Sequence, residues 1–217
     1  MKNKMNNNRG ILIVISGPSG AGKGTICKAL LEKHKDIYLS VSATTREPRQ
    51  GEVHGVNYYF MTKEEFKGKV QENDFLEWAE VYGNYYGTPK SKVEEMLDSG
   101  KNVILEIDIQ GALRVKENCG EDGVFIFILP PSMKELKQRI INRGSETPES
   151  LMKRFTSAYK EINYISKYNY GVVNDTVDAA VSKIENILAA ESCRVDRIKD
   201  NVLPDLKEVL DDEEYND

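Results

Sequence analysis

The sequence contains few of the residues that build metal centres and disulfide frameworks. It has 3 cysteines and 2 histidines among 217 residues. Cys27, Cys119 and Cys193 are far apart and lack the C-x-x-C spacing of zinc and redox sites. His34 and His54 alone do not provide a histidine-based metal site. We therefore expect reduced thiols and no metal ion bound directly by the protein.

Long apolar segments are also absent. No apolar run approaches the roughly 20 residues that cross a bilayer as a helix. Residues 1–9 are polar and basic, and no long apolar segment with a small-residue cleavage site follows them. A signal peptide is therefore not expected. The sequence predicts a cytoplasmic protein without a membrane partner.

Basic residues are not in excess, and negative charge is concentrated at the C-terminal end. The chain has a formal net charge of -5. Residues 196–217 contain 9 acids and 3 bases, a net of -6, so the remaining residues sum to about +1. This balance argues against a broad basic surface, and no nucleic-acid partner is expected. We interpret 196–217 as a solvated acidic tail, with a partner-binding or regulatory role as the alternative.

Short β-branched runs alternate with helical patterns along most of the chain. Strands are predicted at 11–15, 38–41, 102–107, 123–129 and 170–173, and helices at 23–34, 62–68, 89–100, 132–144, 148–167 and 176–199. Such alternation predicts an α/β fold with a parallel sheet flanked by helices. The segment 42–88, rich in aromatics and turns, is expected to be an inserted mixed α/β subdomain with a hairpin near Gly83.

Four of the predicted helices have recognisable starts or ends. Thr62 and Ser132 each precede a glutamate by three residues, the spacing of a capping box. Thr88 and Pro89 predict an N-cap and a first helical position, and Gly100 the end of that helix. Pro148 predicts the start of the helix after a break.

Residues 17–25 form the clearest local motif. They match G-x-x-x-x-G-K between a strand and a helix, the phosphate-binding loop. Backbone N–H groups of such a loop surround phosphate oxygens, and Lys23 reaches the β- and γ-phosphates of ATP. The predicted ATP-binding residues are therefore Gly17, Pro18, Ser19, Gly20, Ala21, Gly22, Lys23, Gly24 and Thr25.

The loop departs from the usual motif at one position. Gly24 follows Lys23 where Ser or Thr usually provides a hydroxyl for Mg²⁺, and Thr25 comes one place later. We expect Mg²⁺ to enter as MgATP, held mainly by phosphates and water, with Thr25 near the phosphates.

Two arginines three residues apart form a second candidate anion site. Arg46 and Arg49 lie in a Pro- and Gly-containing loop between Ser42 and Tyr58. Arginine binds phosphate oxygens in a bidentate manner, so the pair predicts a clamp for a phosphorylated molecule. With the phosphate loop, it indicates an enzyme that holds two phosphorylated substrates.

These motifs and several others occur in an order that resembles the guanylate kinase family. Further matches are Phe75–Trp78, Gly83–Thr88, Ile107–Gly111, Arg143–Thr147 and Val173–Asp175, and the resemblance covers about residues 10–190. It implies a P-loop nucleoside monophosphate kinase fold and the reaction ATP + GMP → ADP + GDP, with dGMP as a further acceptor. A monomer or homodimer is expected.

The resemblance also implies residue roles. Glu77 would accept hydrogen bonds from guanine N1–H and the 2-amino group, and Ser42 and Thr88 would donate to O6. Asp108 would lie between the base site and the catalytic centre, and Asn174 near adenine. The implied GMP-binding residues are Ser42, Arg46, Arg49, Tyr58, Glu77, Tyr86, Gly87, Thr88 and Asp108, and the implied catalytic residues Lys23, Arg49, Arg143 and Arg154.

The implied domain is 10–190, with a core of 10–41 and 89–190, a GMP-binding insertion at about 42–88 and a lid at about 140–156. Glu106 stands where the family often has Asp, so its role is open. Arg139 is expected on a helix surface or supporting the lid. Two alternatives remain: a protein-interaction module of the same fold without catalysis, and a kinase for another phosphorylated acceptor.

Overall fold

The chain folds around two β-sheets. The computed structural model describes residues 9–81, 83–142, 148–199 and 202–203. The strands, in chain order, are β1 (Leu12–Ser16), β2 (Tyr38–Leu39), β3 (Ala43–Thr44), β4 (Tyr59–Phe60), β5 (Phe75–Val81), β6 (Asn84–Pro89), β7 (Val103–Glu106), β8 (Val124–Leu129) and β9 (Tyr170–Val173). The helices are α1 (Lys23–Lys33), α2 (Lys63–Gln71), α3 (Lys90–Asp98), α4 (Ile109–Cys119), α5 (Met133–Asn142), α6 (Pro148–Ile162) and α7 (Val177–Ser192). Short 3₁₀ helices occupy Gly120–Asp122 and Asn163–Lys167.

The central sheet is parallel and has the order β2-β7-β1-β8-β9. Its middle strand β1 is buried along its whole length. Ile13 and Ile15 belong to a core cluster with residues of α1 and α7, whereas Leu12 and Val14 pack with residues of α3 and α4. Because successive strand side chains point to opposite faces, a continuous apolar run requires helices on both faces. The predicted α/β fold is confirmed.

The second sheet lies within the segment that sequence analysis treats as an insertion. Its order is β4-β3-β6-β5, with β5 and β6 forming an antiparallel hairpin. Phe66 of α2 is fully buried and stacks on Phe75 and Tyr85, with ring centroids 4.5 and 5.4 Å apart. Aromatic burial thus provides a separate small core beside the acceptor strands.

Several helix boundaries differ from the predictions, and two of them lie beside the second sheet. The helix that begins after Thr62 continues past Gly68 to Gln71, because a glycine inside a helix costs only about 1 kcal/mol. Thr88 and Pro89 belong to β6 instead of opening a helix, and Pro89 precedes α3 as its N-cap. Pairing with β5 keeps both residues extended, since Thr88 lies opposite Glu77.

Both predicted capping positions are confirmed, whereas the end of the last helix differs from the prediction. Thr62 and Glu65 form a complete capping box, and the Ser132 hydroxyl accepts from the N–H of Glu135 at the start of α5. α7 ends at Ser192, and residues 195–199 are helical after a break, where one helix to 199 is predicted. All three cysteines are free. Within the described part of the chain, no helix is both long and apolar enough to cross a membrane.

Candidate functional site

The phosphate loop lies at the carboxyl end of the central strand. It joins β1 to α1, and β1 has β7 on one side and β8 on the other. In open parallel sheets this is the position where the strand order reverses and ligands bind. The N-terminus of α1 adds partial positive charge at the same point.

Gly22 and Asn174 fix the loop against the chain that follows β9. Gly22 has φ 94° and no room for a side chain, because a Cβ would lie 2.4 Å from Asn174 Nδ2. The buried Asn174 amide donates to Ala21 O at 2.8 Å. Arg139 donates to Asn174 O at 3.3 Å and forms an ion pair with Glu135. These contacts are compatible with its expected place on a helix surface or as support for the lid. Asn174 therefore holds the loop, and its contact with adenine stays a prediction.

Lys23 points back along the loop. Its Nζ donates to Gly17 O at 2.5 Å and to Pro18 O at 3.3 Å. Burial lowers the pKa of Lys23, and the charges of nearby acids, Glu106 first, oppose that decrease. The ammonium thus lies among acids and loop carbonyls where phosphate oxygens are expected.

A cavity of about 330 Å³ opens over the loop. It is lined by Gly17, Ser19, Gly20, Gly22, Lys23, Gly24, Glu106, Asp108, Ile109, Gln110 and Glu161. Four predicted ATP-binding residues, Pro18, Ala21, Thr25 and Asn174, are not among them: Thr25 is exposed, and the other three are buried. Their contact with nucleotide stays a prediction.

A second cavity of about 200 Å³ lies between the two sheets. It is lined by Ser42, Tyr58, Glu77, Ala79, Tyr86, Gly87, Glu106, Ile107 and Asp108. Six of the nine predicted GMP-binding residues therefore come together at one place, although they are spread over 67 positions from Ser42 to Asp108.

Glu77 is the buried acid of this second cavity. It is 8% exposed, and burial, with a further contribution from the charge of Asp108, raises its pKa to about 7. The Thr88 hydroxyl donates to Glu77 Oε1 at 2.7 Å, and this hydrogen bond lowers the pKa of Glu77. Thr88 is fully buried, and its one O–H positions Glu77 in this structure. Its donation to guanine O6 stays a prediction.

The two arginines of the predicted clamp lie outside this cavity. Arg46 Nη2 donates to both carboxylate oxygens of Glu52, at 2.9 Å each, and the Arg46 guanidinium lies 5.5 Å from the Tyr58 ring centroid. Burial lowers the pKa of Arg46, but the interactions with Glu52 and Tyr86 together outweigh it and raise the pKa. Arg49 is exposed, and its backbone N–H donates to Glu52 at 2.8 Å. The loop thus places both arginines around one carboxylate at the Tyr58 side of the cavity.

Glu106 and Asp108 line both cavities and form their common wall. Glu106 ends β7, opposite Ile15 of β1, and Asp108 caps α4 by accepting from the Gly111 N–H at 2.8 Å. Parallel pairing of β1 and β7 explains why these acids reach the phosphate loop.

The sequence analysis assigns no role to two acids that lie at the site. Its roles for two arginines fall on side chains outside the described part of the structure. Glu52 is the partner of Arg46, and Glu161 of α6 lines the phosphate-loop cavity, accepting from Ser19 N–H at 3.4 Å. The seven-residue interval from Arg154 to Glu161 could have signalled the latter, because such positions share a helix face. Arg143 lies outside the described residues; for Arg154, the structure describes only its place in α6.

The donor atoms of the phosphate-loop cavity suit a hard cation. Among the described residues, no cluster of three or more His, Cys, Asp and Glu could itself enclose a metal ion. The carboxylates of Glu106 and Asp108 nevertheless face this cavity. Mg²⁺ prefers such oxygen ligands and usually keeps water and substrate phosphates in its shell. The residues present therefore fit a magnesium ion brought in by a nucleotide.

Comparison with known proteins agrees with this arrangement. The guanylate kinase family model matches residues 9–191. A guanylate kinase of Clostridium perfringens (strain SM101) is 75% identical over 217 residues, 100% of each chain, and one of Clostridium tetani is 68% identical over 208 residues, 96% of this chain and 99% of the relative. A crystal structure of guanylate kinase from Anaplasma phagocytophilum superposes with a TM-score of 0.71 at 38% identity, covering 87% of this chain and 89% of that one. The phosphate loop and the buried glutamate agree with the family match over residues 9–191. The chain belongs to the guanylate kinase family.

Proposed function

We propose that the protein transfers the γ-phosphoryl group of ATP to GMP, giving ADP and GDP, with dGMP as a further acceptor. The observation that supports this most is the pair of adjoining cavities. One contains Lys23 of the phosphate loop, the other contains Glu77, and Glu106 and Asp108 line both. Two nucleotides bound in this way would meet with their phosphates at the common wall.

The acceptor cavity favours guanine. An ionised Glu77 accepts two hydrogen bonds, as guanine N1–H and the 2-amino group require, while adenine presents an acceptor at N1. A buried carboxylate left unpaired by the wrong base is costly, so the discrimination should be large. Ser42 lines the same cavity, and its hydroxyl, with that of Thr88, is proposed to donate to O6.

Positioning and charge account for the chemistry. Phosphoryl transfer needs the acceptor oxygen in line with the γ-phosphate and positive charge on the oxygens between them. Lys23 provides that charge on the ATP side, and Arg46 and Arg49 hold the GMP phosphate. Mg²⁺ bound to ATP would neutralise phosphate charge, with Glu106 and Asp108 as the carboxylates beside it. Arg143 and Arg154 are proposed to complete the site from the lid.

A nucleotide panel tests the proposal. ADP release is followed with ATP and one of GMP, dGMP, AMP, UMP or dTMP, with Lys23→Met as a matched control. We expect turnover with GMP and dGMP only, and a loss of several orders of magnitude in the control. Comparable turnover with AMP or a pyrimidine nucleotide would favour a kinase for another acceptor. Absence of turnover with every acceptor would favour the interaction module without catalysis. A cytoplasmic location and a monomeric or homodimeric state stay predictions.

A further inference from the structure

The strand that contains Glu77 is irregular immediately before that residue. Phe75 of β5 lies opposite Pro89 of β6. Glu77, two residues further along β5, lies opposite Thr88, only one residue back along β6. Leu76 is therefore an extra residue on β5, a β-bulge, which disrupts the hydrogen-bond ladder locally and redirects nearby side chains.

Two consecutive residues at this bulge are buried. Leu76 and Glu77 are both buried, whereas exposed and buried positions alternate over the next three residues. Leu76 packs in the core cluster with residues of α3 and α4, and Glu77 lines the acceptor cavity. A change of one residue in strand register moves every side chain to the other face of a sheet. The direction of the Glu77 carboxylate therefore depends on the bulge.

One face of α4 lies along this part of β5. A Cβ at Gly111, in the first turn of α4, would lie 2.9 Å from Glu77 Oε2, so the helix backbone approaches the carboxylate closely. Arg114 follows three residues later on the same face of the helix. Its guanidinium lies 5.9 Å from the ring centroid of Trp78, the residue after Glu77. The helix therefore contacts β5 at the acid and directly beyond it.

Asn118 of α4 contacts the bulge itself. It lies four residues after Arg114, again on the same face of the helix. Its Nδ2 donates to the carbonyl oxygen of Leu76 at 2.9 Å. This carbonyl belongs to the peptide group that joins Leu76 to Glu77. The hydrogen bond therefore acts directly on the backbone that directs Glu77, at a point where the ladder is irregular.

We propose that Asn118 is a positioning residue for recognition of the acceptor base. Its amide holds the β5 bulge against α4, and the bulge directs the Glu77 carboxylate into the acceptor cavity. The proposal rests on Glu77 binding guanine, as in the proposed function, and adds a residue that determines how well this acid is placed. Asn118 is not among the described residues that line either nucleotide cavity, so its effect passes through the backbone of β5.

The first test is the affinity for GMP, measured by calorimetry without ATP. Asn118→Leu removes the amide and keeps a side chain of similar size. Its Kd for GMP should rise about 5-fold, the equivalent of one lost hydrogen bond. Lys116→Met is the matched control, because the ammonium of Lys116, on the same helix, donates to the carbonyl oxygen of Lys167 at 2.6 Å and not to β5. The Kd of this control should equal that of the wild type.

A double-mutant cycle determines whether the effect passes through Glu77. Glu77→Ala removes the side chain whose direction matters, so adding Asn118→Leu to it should leave the Kd of GMP unchanged within about 2-fold. Equal fold-changes with and without the Glu77 side chain would mean that Asn118 acts on the cavity by another route, and would overturn the proposal. Thermal denaturation verifies that each variant is folded.

A measurement without nucleotide separates this proposal from the proposed function. The ¹³C resonance of the Glu77 carboxyl is followed against pH by NMR. In Asn118→Leu the midpoint should rise, because a displaced carboxylate loses the Thr88 hydroxyl that lowers its pKa. A midpoint equal to that of the wild type would overturn the positioning role. If Glu77→Ala binds GMP as tightly as the wild type, the guanine contact of Glu77 fails, and the midpoint still decides whether Asn118 places the acid.

Discussion

Acidification should weaken GMP binding through one residue, Glu77. The pKa of Glu77 is about 7, because burial disfavours its carboxylate. The proposed contact of Glu77 with guanine requires the ionised form, since only a carboxylate accepts from both N1–H and the 2-amino group. The group is protonated below its pKa, so affinity is full above pH 7 and is lost as pH falls. Between pH 8 and pH 6 the ionised fraction falls from about nine-tenths to about one-tenth, an expected 10-fold rise in the Kd of GMP.

Calorimetric titration of GMP without ATP, from pH 5.5 to 8.5, measures this effect. The GMP phosphate itself has a second pKa of about 6 and adds its own slope. Glu77→Gln provides the matched control, because its amide does not titrate while the phosphate contribution remains. The ratio of the two Kd values at each pH therefore isolates Glu77. A ratio that stays constant across pH 7 would refute the reasoning.

Two substitutions next to Glu77 extend the same argument. Thr88→Val removes the hydroxyl that lowers the pKa of Glu77. The midpoint of GMP binding against pH should therefore rise by about one unit. An unshifted midpoint would contradict the role of Thr88 in lowering this pKa. Gly111→Ala adds a Cβ that would lie 2.9 Å from Glu77 Oε2, whereas a Cβ at Gly68 has nothing within 4 Å. Gly68→Ala should therefore stabilise the protein by up to about 1 kcal/mol in urea unfolding, and Gly111→Ala should weaken GMP binding while ATP binding stays the same. Equal GMP affinity for both glycine variants would count against the contact.

The phosphate loop was predictable because its geometry is local. A buried strand, glycines at fixed intervals, Lys23 and a helix follow one another directly, and each determines the conformation of the next. The parallel sheet was predictable for a similar reason, since apolar runs such as that of β1 require cover on both faces.

The partners of the acceptor residues were not predictable in the same way. The bond from Thr88 to Glu77 depends on the register of β5 against β6, which a turn signal near Gly83 does not fix. Likewise, the pair of Arg46 with Glu52 depends on how a loop closes on itself. The carboxylate of Glu106 lies 3.3 Å from where a Cβ of Gly24 would be, although the two residues are 82 positions apart, and this proximity depends on parallel pairing of β7 with β1.

The wall shared by the two cavities has a consequence for how the nucleotides influence each other. Glu106 and Asp108 border both cavities, so a ligand that reorients either acid in one cavity changes the surface of the other. Thermodynamic linkage makes this influence reciprocal: the factor by which GMP changes the affinity for ATP equals the factor by which ATP changes the affinity for GMP. Occupancy at equilibrium is then independent of the order of addition. A kinetic preference for one order would report on access to the cavities and not on the strength of their coupling.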